Sequence, residues 1–571
     1  MQFTRLLSVA VFVAAFAAVV SATVETPEKL PRISRRSADR DEVLARTMYA
    51  RQALPLPSVD PFYNATEDEL NRSKPGDVLK TRPISSSSYS FTFNGQLIDL
   101  NQNVQSATQL LVRSTDQFGG ASTTVATVLV PYNALSNPRR VLVFQSAENS
   151  ASKDCATSYK LTKGSGRGDY DVAIELVFAN RELSQGYILV FTDYEGPKAG
   201  FSVGRLAAQG VLDGARGGLN RLGINLNSGS QRDARVAFFG YSGGALATSW
   251  AVQNQADYAP DLSKFIVGAS YGGIPVNPKN TFLLLNKQQA AGVAFAGLAG
   301  TGNIFPDFNA YLNQHATANG TERLIQFRYT PGYCLVDAVN ALQFQDVFSY
   351  FDQPQDTVLN TPVIADALAK NTLGSSQFNP RKAPAFPVRI HQAMIDEIVP
   401  TADVDNYVNN EICKNNWNVL YVKELVGEHQ SLAITGSPAA FAWLDDRFAG
   451  KNANLNGCQF QTTASSLISW QAYLVFGQSL LNQLLAIYNA PIGPLSLFGE
   501  KKVGSNNGSV QKVSPSIVNS LSSSAAVSGT SSASAPNATN TGATKPVSNA
   551  TQPAQTSNKP WWQRFVPSWL Q

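Results

Sequence analysis

The sequence predicts an α/β fold with a mostly parallel central sheet, helices on both faces and a helical cap inserted part-way along the chain. Three observations carry that expectation. Short apolar, β-rich runs at 141–144, 187–191 and 236–239 lack the polar alternation of a half-exposed sheet, as expected for strands covered on both sides. Helix-like segments at 203–222 and 245–253 alternate with them, and a further strand is expected at 264–267. From about 278 to 380 the rhythm breaks into an Ala-, Leu-, Gln- and Phe-rich helical stretch, and strands resume at 386–390 and 419–423.

The ends read differently. Arg5 supplies a positive charge, 6–20 is almost wholly apolar, and Val20-Ser21-Ala22 offers a small-residue cleavage pattern, so 1–22 reads as a secretory signal peptide. An uncleaved anchor is the alternative, because the run approaches bilayer length. Residues 23–58 are polar and charged, with Arg35-Arg36 as a candidate processing site in a disordered extension. The catalytic-size unit is expected over 59–504, strand-like from about 80. Residues 505–571 are rich in Ser, Thr, Asn, Ala and Pro until the aromatic end at Trp561, Trp562, Phe565 and Trp569. Such a composition buries too little apolar surface to offset ordering entropy, so a flexible tail is expected.

At 571 residues the chain is long for one domain, and 43% hydrophobic residues suffice for a large core. A net charge of +4, with no dense Lys/Arg tract, gives no reason to expect a nucleic-acid partner. Cys155, Cys334, Cys413 and Cys458 form no CxxC pair, so zinc is not expected, and an exported chain makes two disulfides the natural reading, with three pairings open. Acceptor triplets at Asn64, Asn71, Asn319, Asn507, Asn537 and Asn549 agree with a secretory, extracellular address, the cell wall included.

The chemistry begins at G-x-S-x-G, and the string occurs three times, around Ser202, Ser242 and Ser270. Chance alone gives a chain this long roughly a one-in-five probability of one match. The motif works only where a strand runs into a sharp turn and straight on into a helix, which lifts the serine above the sheet. Ser202 lies well past its strand, and Ser270 is followed by Gly272-Gly-Ile-Pro275, which opposes a helix. Ser242 has both parts, with 235–239 before it and 245–251 after it.

A serine hydroxyl needs a base, and only His315, His391 and His429 are available. His315 sits in the cap beside Asn319, and His391 directly follows a strand ahead of the best acid. His429 comes last, after the strand at 419–423, in the Ser–acid–His chain order of this kind of site. The acid belongs on the loop after the preceding strand, where Asp396 fits; local spacing does not separate it from Glu397. The Gly243 backbone N–H should form half of an oxyanion hole. A second N–H should come from the loop at 145–150, which carries Asn149.

Taken together, Gly240-Tyr-Ser-Gly-Gly-Ala245, Tyr258-Ala-Pro-Asp-Leu262, Ala269-Ser-Tyr-Gly-Gly273, Asp193-Tyr-Glu-Gly196, Asp396-Glu-Ile-Val-Pro400 and Glu428-His429 resemble the fungal secretory lipases of the lipase A type. The likeness spreads over roughly 75–450. It implies an α/β-hydrolase fold with a helical lid, action on triacylglycerols and other esters, and Ser242, Asp396 and His429 as the triad. It also implies bridges Cys155–Cys334 and Cys413–Cys458. Asn149 departs from the acidic residue usual at that place in the family. A monomer is expected that meets lipid or another ester at an oil–water interface, without metal or organic cofactor and without stable transmembrane insertion. A short-chain esterase or an acyltransferase would use the same triad, and a catalytically silent surface protein would keep only the fold.

Overall fold

The computed structural model describes residues 54–494, apart from 85–86, 94–95, 166–169, 376–381 and 488. The proposed signal peptide, most of the extension, and the Ser/Thr-rich tail with Asn507, Asn537 and Asn549 lie outside the described residues. Asn64, Asn71 and Asn319 lie within them and are exposed.

Ten strands form the main sheet in the order β1-β4-β5-β7-β6-β8-β9-β10-β11-β12. They are β1 (Val78–Pro83), β4 (Ser106–Thr115), β5 (Ala121–Val130), β6 (Arg139–Gln145), β7 (Ile188–Thr192), β8 (Ala234–Tyr241), β9 (Ile266–Gly272), β10 (Val388–Ala393), β11 (Val419–Glu424) and β12 (Cys458–Thr463). β2 (Ser87–Phe93) and β3 (Gln96–Gln102) pair apart from it as an antiparallel hairpin. The seven strands from β7 to β12 run parallel, and β1, β4 and β5 add an antiparallel flank at the β7 side.

Alternate residues of β6 feed two cores. Val141 and Val143 pack with α2 (Gly204–Arg221) and α3 (Gly243–Tyr258) on one face. On the other face Phe144 meets Phe191, Phe239 and Phe441, and Phe178 of α1 (Tyr170–Ser184) lies tilted against Phe441. Burial on both faces is why these strands read as unbroken apolar runs. The chain leaves β6 toward β7 on one side and returns to β8 on the other. The strand order therefore reverses between β6 and β8, the place where open α/β sheets bind ligands.

Between β9 and β10 the chain from Pro278 to Lys370 is helical. Its centre is α5 (Ala291–Ile304), which follows α4 (Pro278–Leu285). α5 is apolar around its whole circumference and correspondingly buried, as its lack of a polar face requires. Its Phe295 and Leu298 join Phe282, Phe308, Leu312 and Phe327 in a second core that reaches Ala151 and Phe201 of the sheet region. Cys155 is joined to Cys334 across this boundary, 179 residues apart, and Cys413 to Cys458 across 45.

Closing so long a loop removes much of the unfolded chain's freedom. Replacing both Cys155 and Cys334 by serine should therefore cost about 4 kcal/mol of stability, read as a fall in denaturation midpoint. A loss below about 1 kcal/mol would mean that packing alone, against the central tendency for bridges of this kind, holds the insert.

Candidate active site

β8 runs directly into Ser242, which adopts φ 54° and ψ −120°, and α3 starts at the next residue. A side chain rarely takes that left-handed backbone without a reason, and here it turns the hydroxyl out above the sheet edge. The turn is tight enough to forbid side chains on its glycines. A Cβ on Gly240 would stand 2.1 Å from the Gly244 carbonyl oxygen, and one on Gly244 would stand 2.0 Å from that of Gln145. The Ser242 N–H donates to the Gly272 carbonyl at 3.0 Å, so the β8–β9 ladder holds the serine's backbone.

His429 is the first residue of α6 (His429–Thr435). Its Nε2 lies 2.9 Å from Ser242 Oγ, and its Nδ1 lies 2.9 and 3.1 Å from the two Asp396 oxygens. Its backbone is pinned on both sides: the N–H donates to Glu397 Oε2 at 2.8 Å, and the carbonyl accepts from the Tyr241 hydroxyl at 2.7 Å. Asp396 sits on the loop after β10 with its carboxylate fully buried. That carboxylate accepts from Gln392 Nε2 at 2.7 Å and from the N–H groups of Ile398 and Val399 at 3.0 and 2.8 Å. Every lone-pair direction is used, so the charge is both solvated and fixed in place. Glu397 thus grips the histidine's backbone, not its ring, and burial pushes its carboxyl upward.

The other candidates stand elsewhere. Ser270 lies inside β9, which runs further than the expected 264–267, and is paired beside Phe239 with its hydroxyl buried and unpartnered. Ser202 is buried under α5, 3.1 Å from where a Cβ on Gly297 would stand. His391 falls within β10, not after it, fully buried, and burial holds its ring well below the usual imidazole range. His315 pairs with Asp352 at 2.9 Å in the insert.

The loop after β6 comes to the same edge. A Cβ on Gly243 would stand 1.8 Å from Asn149 Oδ1, so a side chain there would displace the Asn149 amide. Three backbone N–H groups of this loop have partners inside the protein. Ala147 N–H donates to Glu175 at 3.2 and 3.3 Å, Glu148 N–H to the Tyr194 hydroxyl at 3.1 Å, and Ser150 N–H to Glu195 Oε1 at 3.4 Å. Nothing along the chain marks these partners beyond the Asp193-Tyr-Glu-Gly196 string, because a partner for a backbone group leaves no spacing to read.

Behind the loop Glu148, Asp193 and Glu195 are buried around Lys160. Burial pushes all three carboxyl groups up, the neighbouring acids raise Glu148 and Glu195 further, and Lys160 only partly opposes this. The native state therefore keeps protons that the unfolded chain releases above the ordinary glutamate value of 4.5. Stability from this cluster is fully present below that pH and is lost as pH rises through the higher native values, at about 1.4 kcal/mol per pH unit for each retained proton. Calorimetry between pH 4.5 and 8 should show a falling midpoint, with a shallower slope in Glu195→Gln.

Among the described residues no cluster of His, Cys, Asp or Glu could hold a metal ion, and no helix is long and apolar enough to cross a membrane. An alcohol, an imidazole and a buried carboxylate in this sequence of contacts can pass a proton from oxygen to nitrogen while the carboxylate steadies the resulting imidazolium.

Comparison with known proteins points to one family. The family model described as secretory lipase matches residues 164–456. Lipase 5 of Candida albicans is 33% identical over 74% of this chain and 88% of its own length. Lipase A of Arthroderma benhamiae is 32% identical over 77% of this chain and 89% of its own. The X-ray structure of Candida antarctica lipase A in its closed state superposes with a TM-score of 0.66 at 30% identity, covering 77% of this chain and 99% of that one.

Proposed function

This chain belongs to the secretory lipase family and is a carboxylic ester hydrolase; from that premise we propose that it is a secreted triacylglycerol lipase working through a Ser242–His429–Asp396 triad and an acyl-enzyme. The observation that carries the reading is the unbroken hydrogen-bond chain from buried Asp396 through His429 to Ser242 at a strained strand–helix turn. His429 Nε2 takes the proton as Ser242 Oγ attacks the ester carbonyl, then returns it to the departing alcohol. Water deacylates the enzyme by the reverse sequence. The Gly243 N–H, at the positive end of α3, faces the growing negative charge on the carbonyl oxygen.

The insert supports the triacylglycerol assignment. Its apolar core continues onto Ala151 and Phe201 beside the loop after β6, which supplies an apolar wall and a means of excluding water. A fluorescent alkyl phosphonate tests the nucleophile, and p-nitrophenyl esters of graded chain length beside emulsified triolein test the substrate. Turnover confined to short soluble esters would defeat the triacylglycerol assignment. Label on Ser202 or Ser270 would defeat the triad.

A further inference from the structure

The nucleophile turn carries an aromatic side chain that the triad does not use. Tyr241 precedes Ser242 and is buried, as are His391 and His429. Its ring lies 5.2 Å from the His429 ring, centroid to centroid, at a tilt of 47°, and 5.7 Å from the His391 ring at 30°. The Ala269-Ser-Tyr-Gly-Gly273 string makes room for these contacts. A Cβ on Gly273, at φ 60°, would stand 2.8 Å from His429 Cε1 and 2.9 Å from Tyr241 Cζ. One on Gly272 would stand 2.4 Å from His391 Nε2, and one on Gly436 2.7 Å from His391 Cδ2. Side chains at these three places would push the rings apart.

Both ring nitrogens of His391 lack a partner among the described residues, so it serves there as a flat ring and not as a hydrogen-bonding group. Burial and the Arg389 charge keep it neutral. Burial, with Asp396, Glu397 and Glu424 close by, likewise keeps the Tyr241 phenol protonated. Its hydroxyl is therefore a lasting donor to the His429 carbonyl, at 2.7 Å. A neutral aromatic ring within about 6 Å of a cation attracts it through the negative charge of its face, most strongly where water is excluded.

We propose that Tyr241 is a positioning residue for the catalytic base, its hydroxyl fixing the His429 backbone and its ring stabilising the imidazolium, with His391 as the uncharged ring that packs against it. As Ser242 Oγ bonds to the ester carbonyl carbon, the C=O π pair moves onto oxygen and the serine proton moves to His429 Nε2. The imidazolium so formed has Asp396 at Nδ1 and the Tyr241 ring beside it. When the π pair returns, the C–O bond to the alcohol breaks and the proton passes from Nε2 to the alcohol oxygen. This inference rests on the triad reading above.

Pentafluorophenylalanine at position 241 separates the ring's charge from its shape, with Tyr241→Phe as the reference protein. Fluorine withdraws π density from the ring face, so the base holds its proton less tightly. The acid limb of kcat/KM on a soluble p-nitrophenyl ester should then move down by about 0.5–1.5 pH units from its place in Tyr241→Phe. Asp396, Glu397, Glu424 and Arg389 are the same in both proteins, so none of them accounts for such a shift. An unmoved limb overturns the proposal. Tyr241→Phe itself removes only the hydroxyl. Its kcat should fall about 10- to 100-fold below wild type with KM within about threefold, as expected when a catalytic group is misplaced and binding is kept. An unchanged kcat also overturns the proposal.

His391→Ala tests the support. It should lower kcat in the wild-type background and have no further effect in Tyr241→Leu, where no ring is left to hold. Equal losses in both backgrounds would remove His391 from this role. Phosphonate labelling of the wild type tells the failures apart: an unlabelled Ser242 sinks the triad, whereas a labelled enzyme whose acid limb ignores fluorination sinks only the part given to Tyr241.

Discussion

Ser242→Ala should leave the fold intact and lower kcat on any ester by roughly 10⁵-fold, with complete loss of phosphonate label. The side chain lost is small, and no hydrogen bond of the scaffold depends on it, since the serine's backbone is held by Gly272 and by Leu246 N–H donating to the Ser242 carbonyl at 2.9 Å. Removing a hydroxyl from a left-handed position gains nothing in strain, so the denaturation midpoint should move little. His429→Ala should cost nearly as much as Ser242→Ala, and the double variant hardly more than either. A nucleophile without its base, or a base without its nucleophile, does the same residual chemistry, which comes from binding and oxyanion stabilisation alone. Additive losses would argue that the two side chains act in separate steps and would defeat the proposed triad.

Asp396→Asn should cost about 10⁴-fold in kcat, and Glu397→Gln should cost far less. Both carboxyl groups touch His429, but at different atoms. Asp396 faces Nδ1 and fixes which ring nitrogen is left to accept the serine proton; an amide there can donate to Nδ1 and so stabilise the wrong tautomer. Glu397 accepts from the backbone N–H, a bond that a glutamine oxygen can also make. The two variants therefore differ in kind, not degree. Should Glu397→Gln lose activity as steeply as Asp396→Asn, Asp396 would no longer be singled out as the acid. Thermal midpoints measured alongside distinguish this from unfolding, because Asp396 also binds Gln392 and the Ile398 and Val399 N–H groups, and its loss should lower stability as well.

Why the sequence could rank the three serines is visible in their surroundings. A nucleophile elbow is a local object: the strand before it, the positive φ and the helix after it all lie within a few residues. The pattern around Ser242 therefore reads directly, and so do the apolar runs of β6, β7 and β8. The same locality misplaced His391 and Ser270 at strand ends, because β9 and β10 extend past their apolar runs into residues whose polar side chains are buried by neighbours distant in sequence. The antiparallel flank of β1, β4 and β5 was legible only as strand-like chain, since its partners are chosen by the β5–β7 edge and not by any spacing.

By itself the sequence determined the α/β class, the family and the ester-hydrolase chemistry, because each is written in residue types and short-range order. It left Asp396 and Glu397 side by side as acids, and it expected the loop after β6 to offer a backbone donor. The tertiary structure brings Asp396 to the imidazole ring and Glu397 to its backbone N–H, and it gives three of that loop's N–H groups partners. Which carboxylate reaches the ring depends on how the loop after β10 packs against α6, and which N–H groups stay free depends on acids and a phenol brought in from α1 and the segment after β7. Hydrogen bonds reach only about 3 Å, so their partners are fixed by the whole chain's folding. That distance is far below the reach of any pattern along the sequence.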